Sequence, residues 1–314
     1  MILMGNTTQC LQPGRRALRR ITILLLIVGI SSWSVPAAAA SGPANIVVFM
    51  TDFGLTDDSV PICKGVMYSI APELRIVDLT HQVTPYSILD GARFLYGASP
   101  YYPPGTVFVA VVDPGVGSAR KAVVVKSKRG QYFVLPDNGL ITLVADRDGV
   151  EGAREITKRD WMTGSALSST FHGRDIFSPI GAHLARGDDW TEVGPELVPD
   201  KLVRLNLAQV KLDERGLHGE VIATDGPFGN LVTNISGDDF LKLGYQRGEN
   251  VHLSIGSNPL ELPFGRTFSD VPRDRPLLYI DSRGRVALAV NQGSFMSTYR
   301  IQPPVAIDIL RPKR

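Results

Sequence analysis

The sequence is poor in the residues that build disulfide frameworks and metal sites. It contains 2 cysteines and 5 histidines in 314 residues, and no Cys/His spacing resembles that of a zinc site. Because Cys10 falls in a predicted leader, Cys63 has no partner left within the chain for a disulfide. We therefore expect a fold that is held together by its core and a site that needs no metal.

A strong excess of charge of either sign is also absent. The formal net charge is +2 and includes four leader arginines, so the chain has no basic surface of the kind that binds nucleic acid. Removing a leader of 40 residues from 314 leaves 274, which suits two domains or one large one.

The first forty residues are typical of a targeting segment rather than of a folded domain. Four arginines precede a short apolar stretch at 21–30, and small residues at 35–41 suit a signal peptidase. Because the apolar stretch is too short to span a bilayer comfortably, export is favoured over a membrane anchor. We predict a signal peptide over residues 1–40, cleaved near Ala38–Ala40, and a periplasmic or secreted protein.

Two patterns of hydrophobicity follow the leader. Residues 44–190 alternate apolar strands with helical stretches, which predicts an N-terminal α/β domain with a mostly parallel sheet. After a linker at 191–203, residues 204–314 carry short strands separated by Gly, Asn and Pro, which predict a small C-terminal β-barrel, with a sandwich as the alternative. The predicted elements of the first domain are strands 46–50, 76–79, 106–112, 122–125 and 131–135 and helices 60–70, 88–99 and 175–186; those of the second are strands 216–224, 250–255, 276–280 and 285–290.

The most informative segment is the run 111–120. A predicted buried strand delivers Asp113 into a Pro/Gly turn, and Arg120 follows seven residues later. Ligands of open α/β sheets bind at the ends of strands, and glycines let the backbone come close to a bound molecule. By itself, however, the segment is equally consistent with a surface turn and a solvated arginine.

Further polar clusters follow other predicted strands or open predicted helices. They are residues 51–59, 78–81, 136–139, 170–175, 225–230 and 282–284. Considered alone, residues 51–59 and 170–175 are explained by helix capping, and residues 136–139, 225–230 and 282–284 by turn chemistry. The lone histidine in 78–81 is explained as a structural residue with its hydrogen bonds satisfied.

Taken together and in order, these clusters resemble one family. The motifs are Asp52-Phe53-Gly54, Asp78-Leu79-Thr80-His81, Val112 to Gly117, Pro136 to Leu140, Phe171 to Asp175, Phe228-Gly229-Asn230 with Thr233-Asn234-Ile235, and Asn291. They resemble those of the S-adenosyl-L-methionine (SAM) hydroxide adenosyltransferases, the adenosine-forming SAM hydrolases related to fluorinase and chlorinase. The resemblance runs from about Ile46 to Pro304. It implies an α/β domain followed by a β-barrel, trimers with each pocket between neighbouring subunits, and SAM as substrate with no cofactor.

The resemblance also implies roles for individual residues. Asp113, Arg120 and His172 match the three residues that hold and polarise the water or hydroxide that displaces methionine from the ribose 5′-carbon. Adenosine and ribose contacts fall on Asp52, Asp57, Asp58, Ser59, Asp225, Phe228, Asn230 and Phe268. Ser282 falls where the family contacts the methionine carboxylate, and Arg283 lies beside it. Which group takes the proton from water is left open.

Two features favour a hydrolase over a halogenase. Halogenases that resemble this chain lack the Asp at position 113 and the His at position 172, and the fluorinase carries a long insertion where residues 126–131 here pass directly between strands. Residues 56–59 and 63–65, by contrast, resemble the fluorinase's own sequence. An alternative from another class is an exported protein that binds adenosine or a related nucleoside without turnover. The intact Asp113, Arg120 and His172 set disfavours a pure binder.

Overall fold

The computed structural model describes residues 45–164 and 166–312. The predicted signal peptide at 1–40 lies outside these residues. Within the described part of the chain, no helix combines the length and the apolar character needed to cross a membrane.

The N-terminal part is a seven-stranded sheet covered by helices. Its strands are β1 (Ile46–Thr51), β2 (Arg75–Thr80), β3 (Val107–Val111), β4 (Ala122–Ser127), β5 (Tyr132–Pro136), β6 (Val150–Glu155) and β7 (Glu196–Leu197), and its helices are α1 (Ser59–Ile70), α2 (Ile88–Ala98), α3 (Thr142–Asp148) and α4 (Ser178–Arg186). The strand order is β2-β1-β3-β5-β4-β6-β7. The pairs among β2, β1, β3 and β5 are parallel, and the remaining pairs are antiparallel.

Both faces of this sheet are buried, which explains the apolar runs in the central strands. Along β1, Val47 and Phe49 pack on the side of α1 and α4, whereas Val48 and Met50 pack on the side of α2 and α3. Full burial of a large apolar side chain such as Phe49 stabilises the fold by about 1.5–3 kcal/mol. The parallel strands therefore end together at one well-fixed edge.

The C-terminal part is an antiparallel sheet that nearly closes on itself. Its strands are β8 (Lys211–Leu212), β9 (Gly216–Asp225), β10 (Asn230–Ser236), β11 (Asn250–Ile255), β12 (Asn258–Pro263), β13 (Pro276–Ile280), β14 (Arg285–Val290) and β15 (Val305–Leu310), with short helices α5 (Gly237–Leu241) and α6 (Phe295–Tyr299). The order is β12-β11-β15-β9-β10-β14-β13, with β8 on β9. A bridge between Phe264 and Leu278 joins the two ends of this order. The predicted fold class, an α/β domain followed by a small barrel, is confirmed.

The structure contains several elements that were not predicted and changes the bounds of others. The predicted helix 175–186 is a π-helical turn, Gly173–Phe177, that continues into α4. Helices α3, α5 and α6 and strands β6, β8, β10, β12 and β15 were not predicted, because each is short. Strand β7 lies inside the predicted linker 191–203 and pairs with β6. The predicted boundaries between domains stay predictions.

Candidate active site

Asp113 lies just beyond the carboxyl end of β3, at the centre of the sheet. The side-chain amide of Asn138 donates to the carbonyl of Val112 at 2.9 Å and so fixes the strand end. The carbonyl of Asp113 then accepts from the amide of Val116 at 3.2 Å, which closes the turn. The side chain of Asp113 is only 5% exposed.

Arg120, which follows this turn, forms an ion pair with the carboxylate of Asp113. Its Nε donates to Asp113 Oδ1 at 2.9 Å, and a terminal guanidinium nitrogen bonds Oδ2, so the pair is bidentate. The guanidinium also lies over the ring of Phe177, 5.2 Å from its centroid. Because the Arg120 side chain is only 10% exposed, water screens this ion pair weakly.

Two glycines allow the segments that carry the polar groups to come close together. A Cβ atom on Gly117, whose φ is +76°, would lie 2.3 Å from the backbone carbonyl oxygen of Ser169. A Cβ atom on Gly173 would lie 2.9 Å from the ring of Phe53. Any larger residue at these positions would push the Asp113 turn or the Phe53 loop away from the segment that carries His172.

His172 completes the cluster at the start of the π-helical turn. A terminal nitrogen of Arg120 lies 2.9 Å from His172 Nδ1. A guanidinium only donates hydrogen bonds, so Nδ1 is the acceptor and the imidazole hydrogen is on Nε2. Burial, together with the positive charge of Arg120, lowers the pKa of His172 below its ordinary value. The imidazole is therefore a neutral donor through Nε2 at neutral pH.

These groups lie at a cavity of about 370 Å³, here called the N-terminal cavity. Its walls include Asp52, Phe53, Tyr86, Asp113, Phe171 and His172. Asp52 follows β1, and its carboxylate accepts from the amide of Tyr86 at 2.9 Å. The structure thus brings together four predicted site residues. Asp52, Asp113 and His172 line the cavity, and Arg120 bonds to Asp113 and His172 without lining it.

Three predicted residues do not line this cavity. Asp57, Asp58 and Ser59 lie at the start of α1, where the Asp57 carboxylate accepts from the amide of Ser59 at 3.0 Å. That contact belongs to local turn chemistry. A role of these three residues in binding a ligand stays a prediction.

The remaining predicted residues lie together in the C-terminal domain. Asp225, Phe228, Asn230 and Phe268 line a cavity of about 630 Å³, here called the C-terminal cavity. Ser282 and Arg283 line a cavity of about 240 Å³ that shares Asp225 and Phe268 with it. Phe228 is 68% exposed, so an aromatic face is available to a planar ligand. None of these residues lines the N-terminal cavity.

Several cavity residues were not predicted as site residues. Tyr86 and Phe171 line the N-terminal cavity, and Gln292 and Ser294 line the C-terminal one. Phe171 belongs to the cluster 170–175, and Gln292 and Ser294 follow the Asn291 motif, so position in the sequence was the available signal. Tyr86, at 75% exposure and a φ of +66°, combines a large exposed aromatic ring with unusual backbone geometry that only the structure reveals.

In residues 45–164 and 166–312, no group of three or more His, Cys, Asp or Glu side chains is placed to hold a metal ion. The absence of a metal requirement stays a prediction for experiment.

Comparison with known proteins agrees with this geometry. The family model described as the SAM hydroxide adenosyltransferase N-terminal domain matches residues 47–194, and the model of the corresponding C-terminal domain matches residues 219–307. The chain belongs to the SAM hydroxide adenosyltransferase family. The predicted resemblance is thereby confirmed.

Members of this family with curated names, and a solved structure, are similar over most of the chain. An (R)-S-adenosyl-L-methionine hydrolase from Salinispora tropica is 39% identical over 268 residues, covering 83% of this chain and 96% of the relative. A fluorinase from Actinopolyspora mzabensis is 32% identical over 291 residues, covering 85% and 97%. The crystal structure of an uncharacterized conserved protein from Thermotoga maritima superposes with a TM-score of 0.79 at 39% identity, covering 84% and 99%.

The environment of His172 predicts its titration. We expect a midpoint below 6.5, the ordinary value, because burial and Arg120 both disfavour the imidazolium. Since the folded state prefers the neutral form, the stabilisation from this group is complete above pH 6.5 and is lost as pH falls through the lowered pKa. NMR titration, with His172→Gln to assign the resonance, measures the midpoint. A midpoint at or above 6.5 would show that burial and Arg120 do not disfavour the imidazolium at this site.

Proposed function

We propose that the protein hydrolyses SAM to adenosine and L-methionine. The observation that carries this proposal is the cluster of Asp113, Arg120 and His172 at the wall of a cavity, in a chain of this family. The cluster offers both an acceptor and a donor to one water molecule.

The reaction is a displacement at the ribose 5′-carbon. The water oxygen forms a bond to this carbon while the carbon–sulfur bond breaks, and the bonding electron pair leaves with sulfur. The sulfonium becomes the neutral thioether of methionine, so the leaving group needs little further assistance. The protein mainly has to place a desolvated water in line, and such orientation can lower a barrier by roughly 7–11 kcal/mol.

The hydrogen-bond directions support the following roles in this step. The Nε2–H of His172 donates to the water oxygen, because Nδ1 is already occupied by Arg120. Each oxygen of the Asp113 carboxylate accepts one bond from Arg120 and keeps a lone pair for a water hydrogen. The proton that water loses therefore passes to Asp113 or onward to solvent, and His172 orients the water. Arg120 positions both side chains.

The same cluster favours water over a halide. The negative charge of Asp113 would face a halide that occupied the nucleophile position, and Coulomb repulsion opposes this. The connection from β4 to β5 is also tight, since the amide of Ser127 donates to the carbonyl of Gln131 at 2.9 Å. This hairpin is a tight turn and carries no insertion of the kind expected of a fluorinase.

A trimer with pockets between subunits forms part of the proposal. Predicted ligand residues line separate cavities in the two domains, and a neighbouring copy can bring an N-terminal cavity opposite a C-terminal one. SAM is then the only small molecule required, with no cofactor and no nucleic acid.

Export is also proposed, on the pattern of residues 1–40 alone. N-terminal sequencing of the exported protein checks it: a first residue near Ser41 supports cleavage, whereas an intact leader opposes it.

The purified protein should convert SAM and water to equimolar adenosine and L-methionine without added metal. Activity should be retained in excess chelator, and added chloride or fluoride should give no 5′-halogenated adenosine because Asp113 repels the halide. Liquid chromatography of the products measures both outcomes. Activity that is lost in EDTA and restored by a divalent ion, or formation of a halogenated product, would contradict the proposal.

Asp113→Asn and His172→Ala should lower turnover by about 10²–10⁴-fold while changing SAM affinity much less. The first removes the charge that accepts from water, and the second removes the donor that orients it. Asp146→Asn is the matched control, because it breaks an exposed Asp–Arg pair with Arg204 and should leave turnover unchanged. Undiminished hydrolysis by a folded Asp113→Asn variant would refute the role of Asp113.

In solution, active protein should be a trimer. Light scattering at the concentration of the assay measures the mass. A second test mixes two inactive variants, Asp113→Asn and Asp225→Ala: if pockets lie between subunits, mixed trimers regain some activity because intact halves meet. A monomer with full activity would exclude the shared pocket.

A further inference from the structure

A series of hydrogen bonds, here called the hydrogen-bond chain, runs from Lys64 to the backbone amide of Phe53, a residue that lines the N-terminal cavity. Lys64 Nζ donates to Asp78 Oδ2 at 2.6 Å, and Asp78 Oδ1 lies 3.0 Å from His81 Nε2. His81 Nδ1 lies 3.0 Å from Thr51 Oγ1, which in turn accepts from the amide of Phe53 at 3.2 Å. None of the side chains in this hydrogen-bond chain has a direct role in the proposed reaction.

The chemistry of Lys64 and Asp78 fixes the direction of the bonds at the surface end. The ammonium of Lys64 can only donate, and the ionised carboxylate of Asp78 can only accept. Although partial burial disfavours its charge, the hydrogen bonds from Lys64 and His81 outweigh this and lower the pKa of Asp78. His81 therefore carries a hydrogen on Nε2, directed at Asp78, and its Nδ1 forms the bond to the hydroxyl of Thr51. The Thr51 oxygen keeps a lone pair for the Phe53 amide.

The centre of the chain is buried and rigidly packed. Thr51 is 0% exposed and His81 is 3% exposed, and the imidazole meets the ring of Phe49 edge-on at 4.9 Å. The backbone carbonyl of His81 also accepts from the amide of Gly54 at 2.7 Å. The loop after β1 is thus held at Phe53 by Thr51 and at Gly54 by His81.

This loop packs against the segment that carries His172. The ring of Phe53 contacts the ring of Phe171 edge-on, with centroids 5.9 Å apart. It also lies so close to Gly173 that a Cβ there would be 2.9 Å away. Phe53 therefore contacts the residues on both sides of His172, and a shift of Phe53 would shift the imidazole.

We propose that His81, acting through Thr51, is a positioning residue for the hydrolysis. It holds Phe53 in place so that the Nε2–H of His172 is directed at the attacking water. The inference rests on the proposed function, and it separates His81 from the residues that touch the substrate.

Thr51→Val tests the chain with little change of shape, because it removes only the hydroxyl that links His81 to Phe53. Asp78→Asn tests it from the other end, at a side chain that is 44% exposed. It removes the negative charge that pairs with Lys64 and so weakens the anchoring of His81. Both variants should lower kcat by about 10–100-fold, with KM for SAM changed by less than about twofold. Thr51→Ser retains the hydroxyl and should restore kcat to within about threefold of the wild type.

Asp188→Asn is the matched control. It breaks a similar His–Asp pair, in which His183 Nδ1 lies 2.6 Å from Asp188 Oδ2, at the far end of α4 from His172. This variant should leave kcat unchanged. Thermal unfolding verifies that each variant is folded, and Asp78→Asn decides the matter if Thr51→Val does not fold.

The NMR resonances of the His172 ring provide a readout that does not need activity. They should move in Thr51→Val and Asp78→Asn and stay in place in Asp188→Asn. Wild-type protein without SAM hydrolysis would refute the proposed function, while these resonances would still test the placement of His172. Folded Thr51→Val and Asp78→Asn proteins with wild-type kcat and unmoved His172 resonances would overturn the proposal. A raised KM at unchanged kcat would also overturn it, since the effect would then be on binding.

Discussion

The bidentate ion pair between Arg120 and Asp113 is the interaction on which the site depends. Two guanidinium nitrogens meet the two carboxylate oxygens, and this fixes the plane of the guanidinium so that it also reaches His172. Because both side chains are nearly buried, removal of either partner would leave an uncompensated charge, which typically costs about 3–5 kcal/mol. With a neutral imidazole, the cluster carries no net charge. A cationic sulfonium substrate therefore meets no excess positive charge there.

The fold supports this pair by fixing backbone rather than by adding further charges. Burial on both faces fixes β3, and the amide of Asn138 holds the strand end from which Asp113 projects. The close approaches at Gly117 and Gly173 then bring a turn, a loop and a π-helical turn into contact. Each approach leaves no space for a β-carbon, so the geometry of the cluster depends on close contacts of two glycines, one with a backbone carbonyl and one with the Phe53 ring.

Much of this architecture follows from local patterns. The buried strands β1 and β3 can be predicted from the sequence, because apolar runs of β-branched and aromatic residues end at Gly, Pro and Asp. The turns 225–230 and 282–284 join strand pairs as hairpins, as their composition indicates. Helix α3 and strand β6 were not predicted, because they are short and show little hydrophobic periodicity. Packing against the rest of the domain stabilises them. The π-helical turn has no local sequence signature at all.

The sequence by itself determined the order of the elements and the identity of the polar residues that follow them, because strand periodicity and turn chemistry act over a few neighbouring residues. Only the tertiary structure decided which of these residues meet. Arg120 and His172 are 52 positions apart, and their contact alone assigns the imidazole hydrogen to Nε2. In the same way, only the fold distributes the predicted ligand residues among three cavities and the start of α1 and links His81 to Phe53. Such contacts join distant segments across the packed core, and no local pattern encodes them.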